Sequence, residues 1–234
     1  MKKADIAEFY RRLAGRIPAP ETELQSVNTY TLLVAVVLSA QATDAGVNRA
    51  TRDLFAQVTT PAQMLALGEA GLKQHIKTIG LFNMKAKNVI ALSQALIDRF
   101  GGQVPADRDA LQSLPGVGRK TANVVMNVAF GAETFAVDTH VFRVANRTGL
   151  APGRNVGQVE AGLDRVTPPP YRATAHHLLI LHGRYVCKAR KPECWRCVVR
   201  DLCRFKPKTP PPAEAGNSLA PAEAGNSLAP TDAA

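Results

Sequence analysis

The stretch LPGVGRKTANVV, Leu114 to Val125, decides how the whole chain is read. Before it, Asp107 can cap a short helix running from Arg108 to Ser113, which Leu114 and Pro115 end. Gly116 and Gly118 then permit a tight turn with positive φ, and apolar spacing resumes near Arg119 as a helix reaching Phe130. The pattern is helix, hairpin, helix. Backbone N–H groups at such a turn point outward at the positive end of a helix, so one phosphate fits there without any base being read. A plain connection between packed helices would also use a glycine, but Gly-x-Gly followed by Arg119 and Lys120 favours the phosphate. Lys120 falls in the first helical turn, where the dipole and partial burial would both disfavour an ammonium and leave a nucleophilic amine.

Outward from this hairpin the same three-to-four spacing recurs. It predicts helices over Ile6–Arg16, Thr31–Leu38, Asp44–Phe55, Ala62–Leu67, Glu69–Ile76, Lys85–Phe100, Thr139–Gly149, Val156–Val166 and Tyr171–Cys187, each bounded by Gly, Pro or a polar capping residue. No alternating, β-branched run competes, and the expected fold class is all-α. At 234 residues the chain can form one large or two modest domains. Its longest apolar run, Leu32 to Leu38, is too short to span a bilayer, and MKKADIAEFYRRL lacks the apolar segment of a secretion signal, so a cytoplasmic location is expected. A formal charge of +10 favours a polyanionic partner.

Two further stretches carry chemistry. In AVDTHVFRV, Asp138 precedes a helix that opens at Thr139, the position of an ordinary N-cap. The helix after Lys120 carries the chain roughly 16 Å away and the following residues can span roughly 23 Å back, so Asp138 can also reach Lys120. There a carboxylate would stabilise positive charge developing on a substrate. Farther on, all four cysteines fall in CKARKPECWRCVVRDLC with spacing C-x6-C-x2-C-x5-C. Reduced thiolates so closely gathered point to a metal or cluster, and the spacing alone leaves zinc and iron–sulfur open. Lys188, Arg190, Lys191, Arg196, Arg200, Arg204 and Lys206 surround them and make the loop a basic surface suited to backbone phosphates. His176, His177 and His182 do not share one helical face, and their expected role is as core or helix-surface residues.

LPGVGRKTA, then AVDTH, then the four cysteines, in that order, resemble the endonuclease III family of bifunctional DNA glycosylase/lyases, part of the helix-hairpin-helix superfamily. LLVAVVLSAQATD, IKTIGLFNMKAKN and AHHLLILHGRYVC extend the resemblance over about Ile6 to Lys206. The resemblance implies a six-helix bundle over residues 21–131 and a second domain built from 1–20 and 132–206, with DNA in the cleft between them. It also implies Lys120 as the nucleophile at C1′, Asp138 as its carboxylate partner, and a 4Fe–4S cluster on Cys187, Cys194, Cys197 and Cys203. Gln41 and Leu81 resemble the residues that fill the space an extruded base vacates; Gly116, Gly118, Arg119, His140 and Lys191 complete the expected DNA contacts. Phe82 and Met84 depart from the family pattern, which has a tyrosine and a small polar residue at those places.

The expected function is therefore excision of oxidised pyrimidines from duplex DNA, followed by strand cleavage at the abasic site, by a monomer. Two rivals are a monofunctional glycosylase for mismatched or alkylated bases and a non-catalytic DNA-binding module with a structural zinc. Residues 207–234 change composition, contain AEAGNSLAP twice, at 213–221 and 222–230, and are expected to be a disordered tail.

Overall fold

TYTLLVAVVL, Thr29–Leu38, is apolar on every side, and nine of its ten residues are buried. A helix with no polar face has to be enclosed, and the first core forms around this one. The computed structural model describes residues 1–212, so the duplicated repeat expected to be disordered lies outside them. Within them run ten α-helices and no strand: α1 Lys3–Arg16, α2 Thr29–Leu38, α3 Asp44–Phe55, α4 Pro61–Ile76, α5 Phe82–Phe100, α6 Arg108–Gln112, α7 Arg119–Phe130, α8 Thr139–Thr148, α9 Val156–Val166 and α10 Arg172–Tyr185. The expected all-α class holds. The two helices expected on either side of Gly68 are also present, as one element broken where Gly68 takes φ 71° and ψ 170°.

Helices α2 to α7 share a core that includes Leu33, Leu38, Leu54, Met64, Leu72, Ile76, Leu92, Leu96 and Val125. Each fully buried leucine of this kind contributes ~1.5–3 kcal/mol relative to exposure. A second core gathers Phe9, Tyr10 and Leu13 of α1 with Phe135, Val141, Val144, Leu163, Leu178 and Leu179. The N-terminal helix thus packs with the C-terminal half, where the Tyr10 hydroxyl meets Thr167 Oγ1 at 3.0 Å. Arg12 reaches across to the Val198 carbonyl at 3.1 Å and to Asp201 at 2.7 Å.

The chain crosses from the second core to the first between α1 and α2, and returns through residues 131–138. In this extended stretch alternate side chains face opposite ways: Phe135 and Val137 enter the second core, while Ala136 enters the first. Two buried asparagines one turn apart on α7 guide the return. Asn123 Nδ2 donates to the Phe135 carbonyl at 2.9 Å, and Asn127 Nδ2 donates to the Ala132 carbonyl at 2.8 Å and to Ala173 of α10 at 3.1 Å. The path brings Asp138 back beside the helix that carries Lys120.

The start of the expected tail needs correction. Lys208 donates to the carbonyls of Cys203 and Phe205, and the Thr209 hydroxyl bonds to the Pro192 carbonyl while accepting from the Cys194 N–H. These side chains close the cysteine loop, and the ordered fold therefore extends past residue 207.

Candidate active site

The hairpin is held from below. Arg99 of α5 donates to Ser113 Oγ at 2.7 Å, and Gly116, at φ 76°, lies so close to Asn88 that an added Cβ would come within 2.9 Å of the Asn88 Cβ. Gly118 differs from the expectation: it sits at φ −86° and ψ 174°, an ordinary extended conformation with open space around it. Its contribution is the absence of a side chain. No side chain caps α7, so the first N–H groups of that helix stay uncovered for an anion. Gly116→Ala is expected to cost about 1–2 kcal/mol from the left-handed backbone alone, whereas Gly118→Ala should melt like the wild type but bind duplex DNA more weakly; thermal melts and a salt-titrated binding assay separate the two.

Lys120 and Asp138 line one cleft of about 840 Å³ that opens between the two cores, together with Gln41, Asp44, His140, Asn155, His176, His177 and Arg184. Lys120 is exposed rather than partly buried as expected, and it stands in the first turn of α7. Asp138 turns out to serve two ends. Its Oδ1 accepts from the His140 and Val141 N–H groups, both at 2.8 Å, which caps α8 and leaves Oδ2 unclaimed by the cap.

The other expected contacts separate. Gln41 and His140 lie on the cleft, whereas Leu81, Gly116, Gly118, Arg119 and Lys191 do not line it. Arg119 is committed to Glu160 of α9 at 2.8 Å, an ion pair that fastens the hairpin to the second core. Gln41, Leu81 and Lys191 are the non-glycine residues with positive φ among the described residues, at 54°, 59° and 49°. Strain of that kind persists where the surroundings enforce it and concentrates at functional loops. Leu81 is 56% exposed, an apolar side chain held outward on a strained turn. The Gln41 loop lies alongside that turn: a Cβ added at Gly80 would come 3.9 Å from the Gln41 carbonyl oxygen.

Several cleft residues escaped the sequence reading. Asp44 opens α3 and pairs with Arg184 of α10 at 2.8 Å; Arg184 also holds Glu23, which bonds the Tyr185 hydroxyl. Burial raises the Asp44 carboxyl above its usual range, against the opposing pull of Lys120. His176, His177 and His182 are all buried, as core residues are, but the first two also face the cleft. A wall helix with residues recurring every four positions, His176, Ile180 and Arg184, was the signal that could have revealed this stripe.

The cysteine loop is anchored by two arginines of α8. Arg143 donates to the Gly183 and Cys187 carbonyls at 2.7 and 2.8 Å, and one turn on Arg147 donates to those of Lys188 and Ala189 at 2.6 and 2.9 Å. Cys187, Cys194, Cys197 and Cys203 are free thiols, half-buried, and line one small cavity with Val186 and Phe205. A tetrahedral zinc holds each sulfur about 2.3 Å from the metal. Among the described residues no three His, Cys, Asp or Glu side chains converge closely enough to hold a single ion. Four thiols lining one small cavity are the donor set that a cluster of several irons takes.

The family model of the HhH-GPD superfamily base excision DNA repair proteins matches residues 34–169. The chain belongs to that family. The model of the iron–sulfur binding domain of endonuclease III matches residues 187–203, the cysteine loop itself. The chain is 55% identical to endonuclease III of Escherichia coli (strain K12) over 208 residues, 89% of this chain and 99% of that one. It is 58% identical to endonuclease III of Rickettsia conorii over 205 residues, 88% and 98% of the two chains. Its fold superposes with a TM-score of 0.82 on the structure of a trapped endonuclease III–DNA covalent intermediate, at 45% identity over 87% of this chain and 96% of the other. This HhH-GPD member is a base excision repair DNA glycosylase with abasic-site lyase activity, and its cofactor is a 4Fe–4S cluster. Among the described residues no helix is long and apolar enough to cross a membrane.

Proposed function

We propose that the chain removes oxidised pyrimidines from duplex DNA with Lys120 as nucleophile and Asp138 as its carboxylate partner. The observation that carries this is their convergence: α7 and the N-cap of α8, one from each core, meet on a single cleft large enough for an extruded nucleotide. A base within the duplex is out of reach of any such cleft. The Gln41 and Leu81 turns would fill the gap left by the extruded nucleotide, their strained backbones holding the side chains outward before DNA arrives. The open N-terminus of α7 and the basic loop around Lys191 would take backbone phosphates on either side.

As the C1′–N1 bond lengthens, positive charge grows on the sugar, and Asp138 Oδ2 stabilises it at short range. The Lys120 amine bonds to C1′, and loss of its proton with opening of the sugar ring gives an imine. The imine acidifies the neighbouring carbon, and removal of a proton there expels the 3′ phosphate by β-elimination. Cys187, Cys194, Cys197 and Cys203 would hold the cluster away from this chemistry; when bound it fixes the fold of the basic loop.

The two separate cores support domains at 21–131 and at 1–20 with 132–206. Action on chromosomal DNA would place the protein at the nucleoid. The test is borohydride reduction during reaction of the wild type with a duplex carrying one oxidised pyrimidine. A covalent protein–DNA adduct is expected, and the absence of any adduct with several oxidised pyrimidines and with an abasic site would overturn the reading.

A further inference from the structure

One wall of the cleft is α10, whose residues His176, Ile180 and Arg184 recur at intervals of four and so share a face. The roles given to Lys120 and Asp138 leave the polar groups of this wall unused. Arg184 is occupied by Asp44 and Glu23. His176 is not occupied. It is only 2% exposed, and its Nδ1 is buried without a hydrogen-bond partner among the described residues. Buried polar atoms are nearly always paired, and an N–H on the enclosed Nδ1 would have no acceptor, so the ring's proton is better held on Nε2, the nitrogen left for the cleft that His176 lines.

The charges around His176 locate it further. Burial, and after it the neighbouring His177 and the ammonium of Lys120, push its pKa down to about 3, so the ring is neutral under all working conditions. A neutral imidazole keeps one N–H donor and one acceptor and adds no positive charge beside a cationic sugar. His176 lines the same cleft as Lys120 and Asp138, the groups that would act at C1′. In a pyrimidine nucleotide the carbonyl nearest C1′ is O2, on the carbon next to N1.

We propose that His176 is a catalytic residue for base departure, its imidazole N–H donating a hydrogen bond to O2 of the extruded pyrimidine. The proposal rests on the lyase reading of Lys120. The amine lone pair of Lys120 forms the C1′–N bond as C1′–N1 breaks, and the electron pair of that bond leaves with the base, spread over N1, C2 and O2. The proton lost by the amine passes to the departing base. His176 keeps its own proton throughout and stabilises charge where it develops, as donors in preorganised sites do.

The experiment is single-turnover kinetics of wild type, His176→Phe and His176→Asn on two duplexes, one with an oxidised pyrimidine and one with a preformed abasic site. Phenylalanine keeps an aromatic ring and removes the N–H. It is expected to slow base release about 10- to 100-fold while changing cleavage at the abasic site, from which no base departs, by about twofold or less. Asparagine retains a donor and should recover part of the loss, which also serves if phenylalanine disturbs the core. Across pyrimidines of graded leaving ability, the loss in His176→Phe should grow as the base becomes a poorer leaving group. Equal losses on both duplexes, or no loss on either, or equal rates for the two variants would each overturn the assignment. Failure of the wild type to cleave the abasic duplex would instead overturn the lyase reading, and with it the role of His176.

Discussion

Lys120→Ala is expected to abolish borohydride trapping and to lower strand cleavage by about 10³-fold or more, because among the described residues no other lysine lines the cleft. Stability should hardly move. The side chain is exposed and takes no part in the ion pairs of the described residues, and substitutions of that kind usually stay within about 0.5 kcal/mol. Lys120→Arg makes the sharper comparison. Arginine keeps the positive charge and can hold a phosphate, but its guanidinium stays protonated and cannot become a nucleophile. If Lys120 served only as a phosphate contact, Lys120→Arg would cleave at close to the wild-type rate. On the proposed chemistry it binds duplex DNA and forms no adduct. A gel-shift titration run beside the trapping assay reads both quantities on the same protein.

Asp138→Asn should separate structure from catalysis at the second position. The cap on α8 uses Oδ1 as an acceptor from two N–H groups, and asparagine offers the same acceptor and caps helices as well as aspartate does. The melting curve should therefore stay close to that of the wild type. What is lost is the negative charge facing the developing cation, and removal of one such electrostatic partner costs about 10²–10³ in rate. Asp138→Ala removes the cap as well and should lose a further ~1 kcal/mol of stability. Wild-type rates in Asp138→Asn would reduce Asp138 to a capping residue and leave Lys120 without its carboxylate.

Local rules carried the sequence reading where the decisive information is local. The spacing of apolar residues exposed the helices, including the break at Gly68, because a helical face is set by neighbours three and four residues apart. The reading of Gly118 as a positive-φ residue failed since a glycine's identity does not say whether its freedom or its missing side chain is used. Asn123 and Asn127 gave no signal as the pair that steers the chain back, and neither did Arg143 and Arg147 as the anchors of the cysteine loop. Their partners are backbone carbonyls, which have no letter in a sequence.

By itself the sequence determined the all-α class, the hairpin, the clustered thiols and the placing of Lys120 and Asp138 at helix starts, since each follows from residue types within one short window. Only the tertiary structure decided that Arg119 turns to Glu160, that Lys120 lies exposed, and that His176, with a buried and unpaired Nδ1, forms part of the cleft wall. Burial and pairing depend on which distant segments come together. Here that is fixed by two cores between which the chain crosses twice, before α2 and again through residues 131–138.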